Sequence, residues 1–244
     1  MTIRTSTLLQ LRTEARQRAD MEGDTHISDA EFTRFINQST AALHALMVDF
    51  DEAYFMLRFT YTTTPGVNYV ILNTNLAEPP ATNYLDVYKV LHVAANINGW
   101  QRSLARWTPE TRTLYENAST WGVQALPVSY RLSIIQSGFH ALYLSPTPDG
   151  VYTLTVDLVQ SITDLVSDSD VFWFGDGWEE WVVLDAAIKA LTKEESSITD
   201  LVQERDRVLV RIQAQMRTPD LDHPGTVRDT ERAGYGHDWW QVGR

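Results

Sequence analysis

Apolar residues recur every three or four positions in four stretches of the chain, two near each end. The first stretch runs from Ser6 to Ala19, and the second runs from Ser28 to Phe50. The third begins at Gly177, and the fourth follows Ser197, which we predict as its cap, and continues to Met216. This spacing places the apolar side chains on one face of a helix, so it predicts four amphipathic helices.

The second helix has the clearest start signal. Ser28 and Glu31 have the spacing of a capping box, in which the serine oxygen accepts the Glu31 amide and the glutamate accepts the Ser28 amide. Ile27 and Phe32 occupy the two positions of a hydrophobic staple around the same turn. We therefore expect this helix to begin directly after Ser28.

Between the two helical pairs the period of the pattern changes to two, which is typical of strands. Pro148-Asp149-Gly150 predicts a turn between the last two strands. Residues 108–117, with Pro109 at the first helical position, predict one short helix in this region. The strand candidates are 57–61, 67–72, 87–94, 130–134, 140–144 and 152–158.

The order of these elements predicts an α+β fold. Each outer helical pair is short for a separate domain, so we expect residues 1–55 and 177–216 to close on each other as one antiparallel helical bundle. Residues 56–176 then form a β-rich insertion of antiparallel strands. After Arg217, prolines and glycines break any periodicity, and we predict an extended C-terminal tail over 217–244.

Composition narrows the class of protein. Of the 244 residues, 43% are hydrophobic, which is enough for a folded core, and the absence of cysteine excludes disulfides and thiolate metal sites. We expect no secretory signal, since Met1–Gln10 contains no apolar h-region. We expect no membrane span either, since no run of about 18 apolar residues exists. The net charge of −12 argues against a dedicated DNA-binding protein, which needs a basic surface.

The negative charge is concentrated in one segment. Residues 164–206 contain twelve acidic and three basic residues, so this segment carries −9 of the net −12. A run of charge most often marks a solvated face, and that interpretation is the simplest one for this segment taken alone.

One loop has a pattern related to calcium sites. Counted as an EF-hand loop, residues 20–31 place Asp20, Asp24 and Glu31 at ligand positions. Thr25 stands where the sharp turn of such a loop requires glycine, which counts against calcium binding. A polar turn between two helices is the simpler interpretation, and a calcium-dependent binding module is the alternative function that this loop leaves open.

The sequence contains no pattern of a catalytic centre. The six histidines are scattered without the spacing of a helical zinc site, and no phosphate-binding glycine loop or nucleophile elbow is present. We therefore predict that the protein is not an enzyme and has no catalytic, cofactor-binding or metal-binding residues.

Large aromatic residues in the C-terminal tail are unlike the rest of that segment. They have no amphipathic element to join, and aromatic and arginine side chains are the usual anchors of protein interfaces. Packing of the tail on its own domain is the alternative, but docking on a partner is favoured. The predicted interface residues are Arg12, Arg16, Tyr235, Trp239 and Trp240.

The ordered set of segments resembles the head-to-tail adaptor (connector, or neck) proteins of tailed double-stranded DNA bacteriophages. The resemblance covers roughly residues 5–230, and it rests on the order of the segments because no single motif is specific. Residues 164–176 and the last dozen fit the pattern poorly. The segments are Arg12–Asp20, Ile27–Asn37, Tyr88–Val93 followed by Trp100, Pro127–Leu132, Leu142–Pro148, Val151–Val159, Gly177–Ile188 and Lys193–Ser196.

This resemblance implies a structural subunit without catalytic residues or cofactor. Such adaptors form rings, commonly of twelve subunits, that join the portal protein to a tail or nozzle protein in the virion neck. Their lumen lets duplex DNA pass without sequence-specific binding, and they are assembled in the host cytoplasm. An acidic wall suits that passage because it does not bind phosphates, so we expect 164–206 to face the lumen at least in part. A tail or baseplate component is a further alternative.

Overall fold

A computed structural model describes residues 6–23, 26–72, 87–97, 99–108, 124–134, 140–175 and 177–217. It is a mixed α+β structure with four helices and several sheets in this part of the chain. The short helix predicted at 108–117 and the tail predicted at 217–244 lie outside the described residues, apart from the first residue of each.

The four helices form where the apolar stripes predicted them. Helix α3 lies in the middle of the group, because it contacts α1, α2 and α4, while α1 also contacts α2. The first helix is shorter than predicted, since Ser6 and Thr7 pair with another strand. The helices are α1 (Leu8–Arg18), α2 (Asp29–Phe50), α3 (Glu179–Lys193) and α4 (Thr199–Met216).

The start of α2 confirms half of the predicted capping box. The Glu31 amide donates to Ser28 Oγ at 3.3 Å, but between these two described residues the reciprocal bond from the Ser28 amide is absent. The Glu31 carboxylate instead accepts from Lys193 Nζ of α3 at 2.8 Å. A cation from a neighbouring helix is a stronger donor to a carboxylate than a backbone amide, and this was not visible in the local sequence.

The other helix starts differ from the sequence interpretation. Helix α1 has a complete capping box that the sequence analysis missed, formed by Thr7 and Gln10. The predicted Ser197 cap of α4 is wrong, because Ile198 is the N-cap residue and makes no side-chain hydrogen bond there. Ser197 lies one residue too early for its hydroxyl to act as the cap of this helix.

The strands form three sheets. A two-stranded sheet pairs β1 with β10, and two four-stranded sheets have the orders β2-β9-β4-β5 and β3-β8-β7-β6. The pairings are antiparallel, except for the short parallel pair of β6 and β7. The strands are β1 (Ser6–Thr7), β2 (Met56–Thr62), β3 (Tyr69–Ile71), β4 (Val87–Ile97), β5 (Trp100–Ser103), β6 (Ala105–Arg106), β7 (Ser129–Ile134), β8 (His140–Ser145), β9 (Thr153–Gln160) and β10 (Val171–Phe172).

Two hydrophobic clusters form the interior. One is built from the four helices and includes Leu184 and Trp181, and the other is built from the strands and includes Leu158 and Leu142. The segment between β9 and α3 packs with the helices, and it contributes Leu165, Phe172 and Phe174 to their core. The last part of the predicted β-rich insertion is therefore in contact with the helical part.

Candidate assembly surfaces

The two predicted interface arginines of α1 lie at the contact between α1, the start of α2 and the segment before β10. Arg12 forms an ion pair with Asp168 at 3.0 Å and lies 3.7 Å from Asp29. Arg16 pairs with Asp29 at 2.9 Å, donates to the Ile27 carbonyl at 2.7 Å and lies over the Phe32 ring. Both guanidinium groups thus already have partners within the subunit.

A groove of about 740 Å³ lies beside Arg12, between the outer face of α2 and residues 164–166. Asn37 holds this edge in place, because its side-chain amide both donates to the Leu165 carbonyl and accepts from the Leu165 amide at 3.0 Å. Val166, at the rim, is 78% exposed. The groove combines two arginines, an aspartate, uncharged polar side chains and one exposed apolar residue, which suits a protein segment better than a catalytic reaction.

The 20–31 loop shows other uses for its acidic side chains. Glu31 is paired with Lys193, and this hydrogen bond lowers the pKa of Glu31. Asp20 adopts a left-handed backbone conformation with φ of 55°, and Asp24 lies outside the described residues. Within the described part of the chain, no group of three or more histidine or carboxylate side chains is placed to hold a metal ion.

Much of the negative charge of 164–206 is compensated locally. Arginines from α1 and α4 approach its carboxylates, so the segment is less negative at its surface than its composition indicates. The Asp170 carboxylate accepts the amides of Val166 and Ser167, and these bonds lower the pKa of Asp170. Among the described residues, the ion pairs between carboxylates of the segment and arginines are Asp168–Arg12, Glu180–Arg18, Glu180–Arg211, Asp185–Arg205, Glu204–Arg18 and Asp206–Arg205.

A buried ionic network joins three helices. Asp185 of α3 is 7% exposed and accepts from Lys189 at 2.9 Å, from Arg205 of α4 at 2.9 Å and from Ser39 Oγ of α2 at 2.8 Å. Burial alone raises the pKa of Asp185, but the hydrogen bonds and charges of these partners outweigh it and hold the pKa below its ordinary value. The network therefore sets how α2, α3 and α4 face one another.

Aromatic rings fill the junction between the helical and β parts. His44 of α2 lies 5.2 Å from Phe55, 5.1 Å from Tyr88 of β4 and 6.0 Å from Phe174, measured between ring centroids. His44 is 3% exposed, its Nε2 has no hydrogen-bond partner in the described part of the chain, and burial lowers its pKa. A neutral imidazole packed among rings is a structural contact between the two parts.

A polar network that the sequence did not predict lies on the sheet of order β2-β9-β4-β5, on the face opposite its hydrophobic cluster. Arg58 donates to both Asp157 oxygens at 2.7 and 3.1 Å, and this lowers the pKa of Asp157. His92 lies 2.8 Å from Ser103 Oγ and 3.6 Å from Asp157. The order resembles a serine–histidine–aspartate triad, but Arg58 holds the carboxylate, and 3.6 Å exceeds hydrogen-bond distance. None of these residues lines the groove described above. They lie on neighbouring strands of one sheet, so the network is a contact between strands.

Among the described residues, no helix combines the length and the apolar character that a bilayer crossing requires. The described part of the chain thus offers two kinds of assembly surface, a groove on the helical part and the edge strands of the β part. The aromatic junction joins these two parts. These are the features of a structural protein that contacts other proteins.

The comparison with protein families agrees with this class. Residues 6–222 match the family model described as SU10 adaptor protein, which spans both the helical and the β part. The chain belongs to the SU10 adaptor protein family, and the resemblance to phage head-to-tail adaptors is thereby confirmed. No curated protein matches the chain. Tyr235, Trp239 and Trp240 lie beyond the matched residues and outside the described structure.

Family membership supports a structural adaptor of a bacteriophage and suggests a non-enzymatic role. It implies a position in the neck of the virion and contact with other neck or tail components.

Proposed function

We propose that this chain is one subunit of a ring that joins the portal protein to a tail or nozzle protein in the phage neck and borders the DNA exit channel. The observation that carries the proposal is the family match over residues 6–222, which includes every described helix and strand. The role is structural, requires no cofactor and serves the passage of DNA during ejection.

A closed ring requires that each subunit present two different surfaces, one to each neighbour. The helical and β parts have separate hydrophobic clusters and different exposed side chains, which supports such a head-to-tail contact. We propose twelve subunits per ring and retain the antiparallel order of the four helices as part of the proposal. We divide the chain into a helical bundle of residues 1–55 and 177–216, a β-rich insertion of residues 56–176 and an extended C-terminal tail of residues 217–244.

The segment 164–206 is proposed to face the lumen at least in part. Arginines neutralise several of its carboxylates, and Asp164 remains exposed beside the groove. A neutral to acidic wall does not bind phosphates by counterion release, so duplex DNA passes without specific contacts.

The interface residues of the proposal are Arg12 and Arg16 near the groove, and Tyr235, Trp239 and Trp240 in the tail. Arg12 lines the groove while it holds Asp168, so a partner seated there would contact a fixed guanidinium. The tail is proposed to dock on the portal or on a neighbouring subunit, because burial of large aromatic rings stabilises an interface.

A density map of the intact virion at side-chain resolution tests the proposal. We expect this chain in a closed ring between portal and tail, with part of 164–206 toward the lumen. A map that places the chain in the tail or baseplate would contradict the neck assignment.

Deletion of residues 231–244 tests the tail separately. We expect the melting temperature of the free subunit to change little while binding to the portal, measured by co-sedimentation, weakens. A truncated subunit that no longer folds would show that the tail belongs to the subunit's own core.

A further inference from the structure

One segment forms an edge of both large sheets. Strand β5 is the last strand of the order β2-β9-β4-β5, and β6 is the last strand of the order β3-β8-β7-β6. Only Leu104, which is buried, separates them. Residues 100–107, named here the basic edge, therefore contain the edge strands β5 and β6 of the two four-stranded sheets.

Three large side chains of the basic edge are exposed to solvent. Trp100 is 82% exposed, and Arg102 and Arg106 are exposed. In the described part of the chain, neither arginine forms an ion pair, and residues 99–108 contain no acidic residue. Arg131 lies beside the edge with its guanidinium 4.9 Å from the Trp107 ring. Tryptophan and arginine are the side chains most enriched among interface hot spots.

The helical part has a surface of opposite charge. Residues 194–200, named here the acidic turn, join α3 to α4 and include Glu194, Glu195 and Asp200. These carboxylates have no ion pair within the described residues, although most other acids near α3 and α4 do. Ile198 lies partly exposed between them and supplies apolar surface.

These two surfaces belong to different parts of the subunit. The Lys193–Glu31 pair ties the acidic turn to the start of α2 in the helical part. The basic edge joins the ends of the two large sheets in the β part. Among the described residues, no hydrogen bond or ion pair links the two surfaces within one chain.

We propose that the basic edge of one subunit docks on the acidic turn of a neighbouring copy of this chain. The inference rests on the proposed ring and names the contact that builds it. Arg102 and Arg106 pair with the carboxylates, and Trp100 packs against the partly exposed apolar surface around Ile198. Because the contact joins two different surfaces, it propagates head to tail around a ring.

Duplex DNA fits the basic edge less well than a second copy. Binding along DNA requires a broad basic footprint, and here two arginines and Arg131 belong to a chain of net charge −12. The acidic turn is the complementary surface that the same chain supplies.

Charge reversal in the full-length protein tests the contact. Self-association is measured by sedimentation velocity over a series of protein and NaCl concentrations. We expect Arg102→Glu/Arg106→Glu and Glu194→Lys/Glu195→Lys each to weaken association about tenfold or more. The chain that carries all four substitutions, and an equimolar mixture of the two variants, should restore it. The single variants Arg102→Glu and Arg207→Glu change the net charge equally, and Arg207 is an exposed arginine of α4 without an ion pair in the described residues. Arg102→Glu should weaken association, whereas Arg207→Glu should leave it unchanged.

Each outcome separates the contact from the function. The contact would be overturned if the charge-reversed variants associate as the wild type does, or if the wild type stays monomeric at the highest concentration. It would also be overturned if charge reversal reduces only the binding of a DNA duplex, added in the same sedimentation experiment, and leaves self-association unchanged. If association is unchanged while a virion map places the chain in the neck, the proposed function stands without this contact. If the charge swap restores association but the chain lies outside the neck, the contact stands without that function.

Discussion

The helical and β parts of this protein treat their cations differently. In the helical part, most lysines and arginines have carboxylate partners from another element, whereas several arginines of the β part have none among the described residues. Charge neutralised within a part holds that part together, and charge left without a partner is available to other molecules. The paired cations of the helical part include Arg12, Arg16, Arg18, Lys189, Lys193, Arg205 and Arg211, and the unpaired ones of the β part are Arg102, Arg106 and Arg131.

This difference in ion pairing indicates that the two parts have different roles. The Asp185 network ties helices α2, α3 and α4 to one another in the helical part. Among the described strands, the sheets of the β part end in edge strands, one of which carries Trp100. An adaptor needs both a fixed body and exposed surfaces, because it must hold its shape while it contacts several partners.

Removing a core leucine from either part should have the largest effect. Leu184 in the helical core and Leu158 in the β core are both fully buried, so Leu184→Ala and Leu158→Ala should each cost about 2–5 kcal/mol of unfolding free energy. Hydrogen exchange followed by mass spectrometry should show faster exchange mainly in α3 for the first variant and in β9 for the second. If both variants accelerate exchange equally throughout, the two parts form one cooperative unit and the comparison fails.

Breaking the buried ionic network should have the next largest effect. Asp185→Ala leaves Lys189 and Arg205 partly buried without their carboxylate, so we expect a loss of about 3 kcal/mol in urea unfolding. Asp206→Ala removes an exposed partner of the same Arg205 and should cost less than about 1 kcal/mol. Equal losses in the two variants would show that the network does not organise the helical part.

The stability of the helical part should also depend on acid through Asp185. The pKa of Asp185 in the folded protein lies below its ordinary value of about 3.9. The network therefore contributes its full stability above pH 4 and loses it as the pH falls through the folded pKa. Urea unfolding from pH 6 to pH 3 should show a smaller loss below pH 4 in Asp185→Asn than in the wild type. An identical pH dependence would contradict this role.

The smallest expected effect concerns helix starts. Ser28→Ala removes the hydroxyl that accepts the Glu31 amide and should destabilise the protein by about 1 kcal/mol. Ser197→Ala is the matched control, since Ser197 precedes the N-cap of α4, and it should change the unfolding free energy by less than about 0.5 kcal/mol. A larger loss for Ser197→Ala would restore it as the cap of α4.

Some features of the basic edge had local signals in the sequence. Asn98-Gly99 is the strongest short-range signal for a two-residue hairpin turn, and the register pairs Ile97 with Trp100 on either side of it. The sequence also shows directly that residues 99–108 contain no acidic residue. The sequence does not predict the exposure of Trp100, because that exposure depends on β5 being an edge strand.

The candidate interface of α1 shows the opposite case. Arg12 and Arg16 were readable as exposed cations on a helix, but their carboxylate partners could not be assigned. Asp168 follows Arg12 by more than 150 residues and reaches it only through the pairing of β1 with β10. The ionic role of these arginines is a product of the tertiary structure.

The kinds of elements and their order follow from the amino-acid sequence, because the period of apolar residues is set by the local geometry of helix and strand. Four helices and most strands lie where that period predicted them. Which elements contact each other is visible in the folded chain alone: β1 pairs with β10, Glu31 with Lys193, and residues 162–174 pack on the helical core. These contacts depend on the competition of many distant partners for one side chain, and no local pattern contains that information.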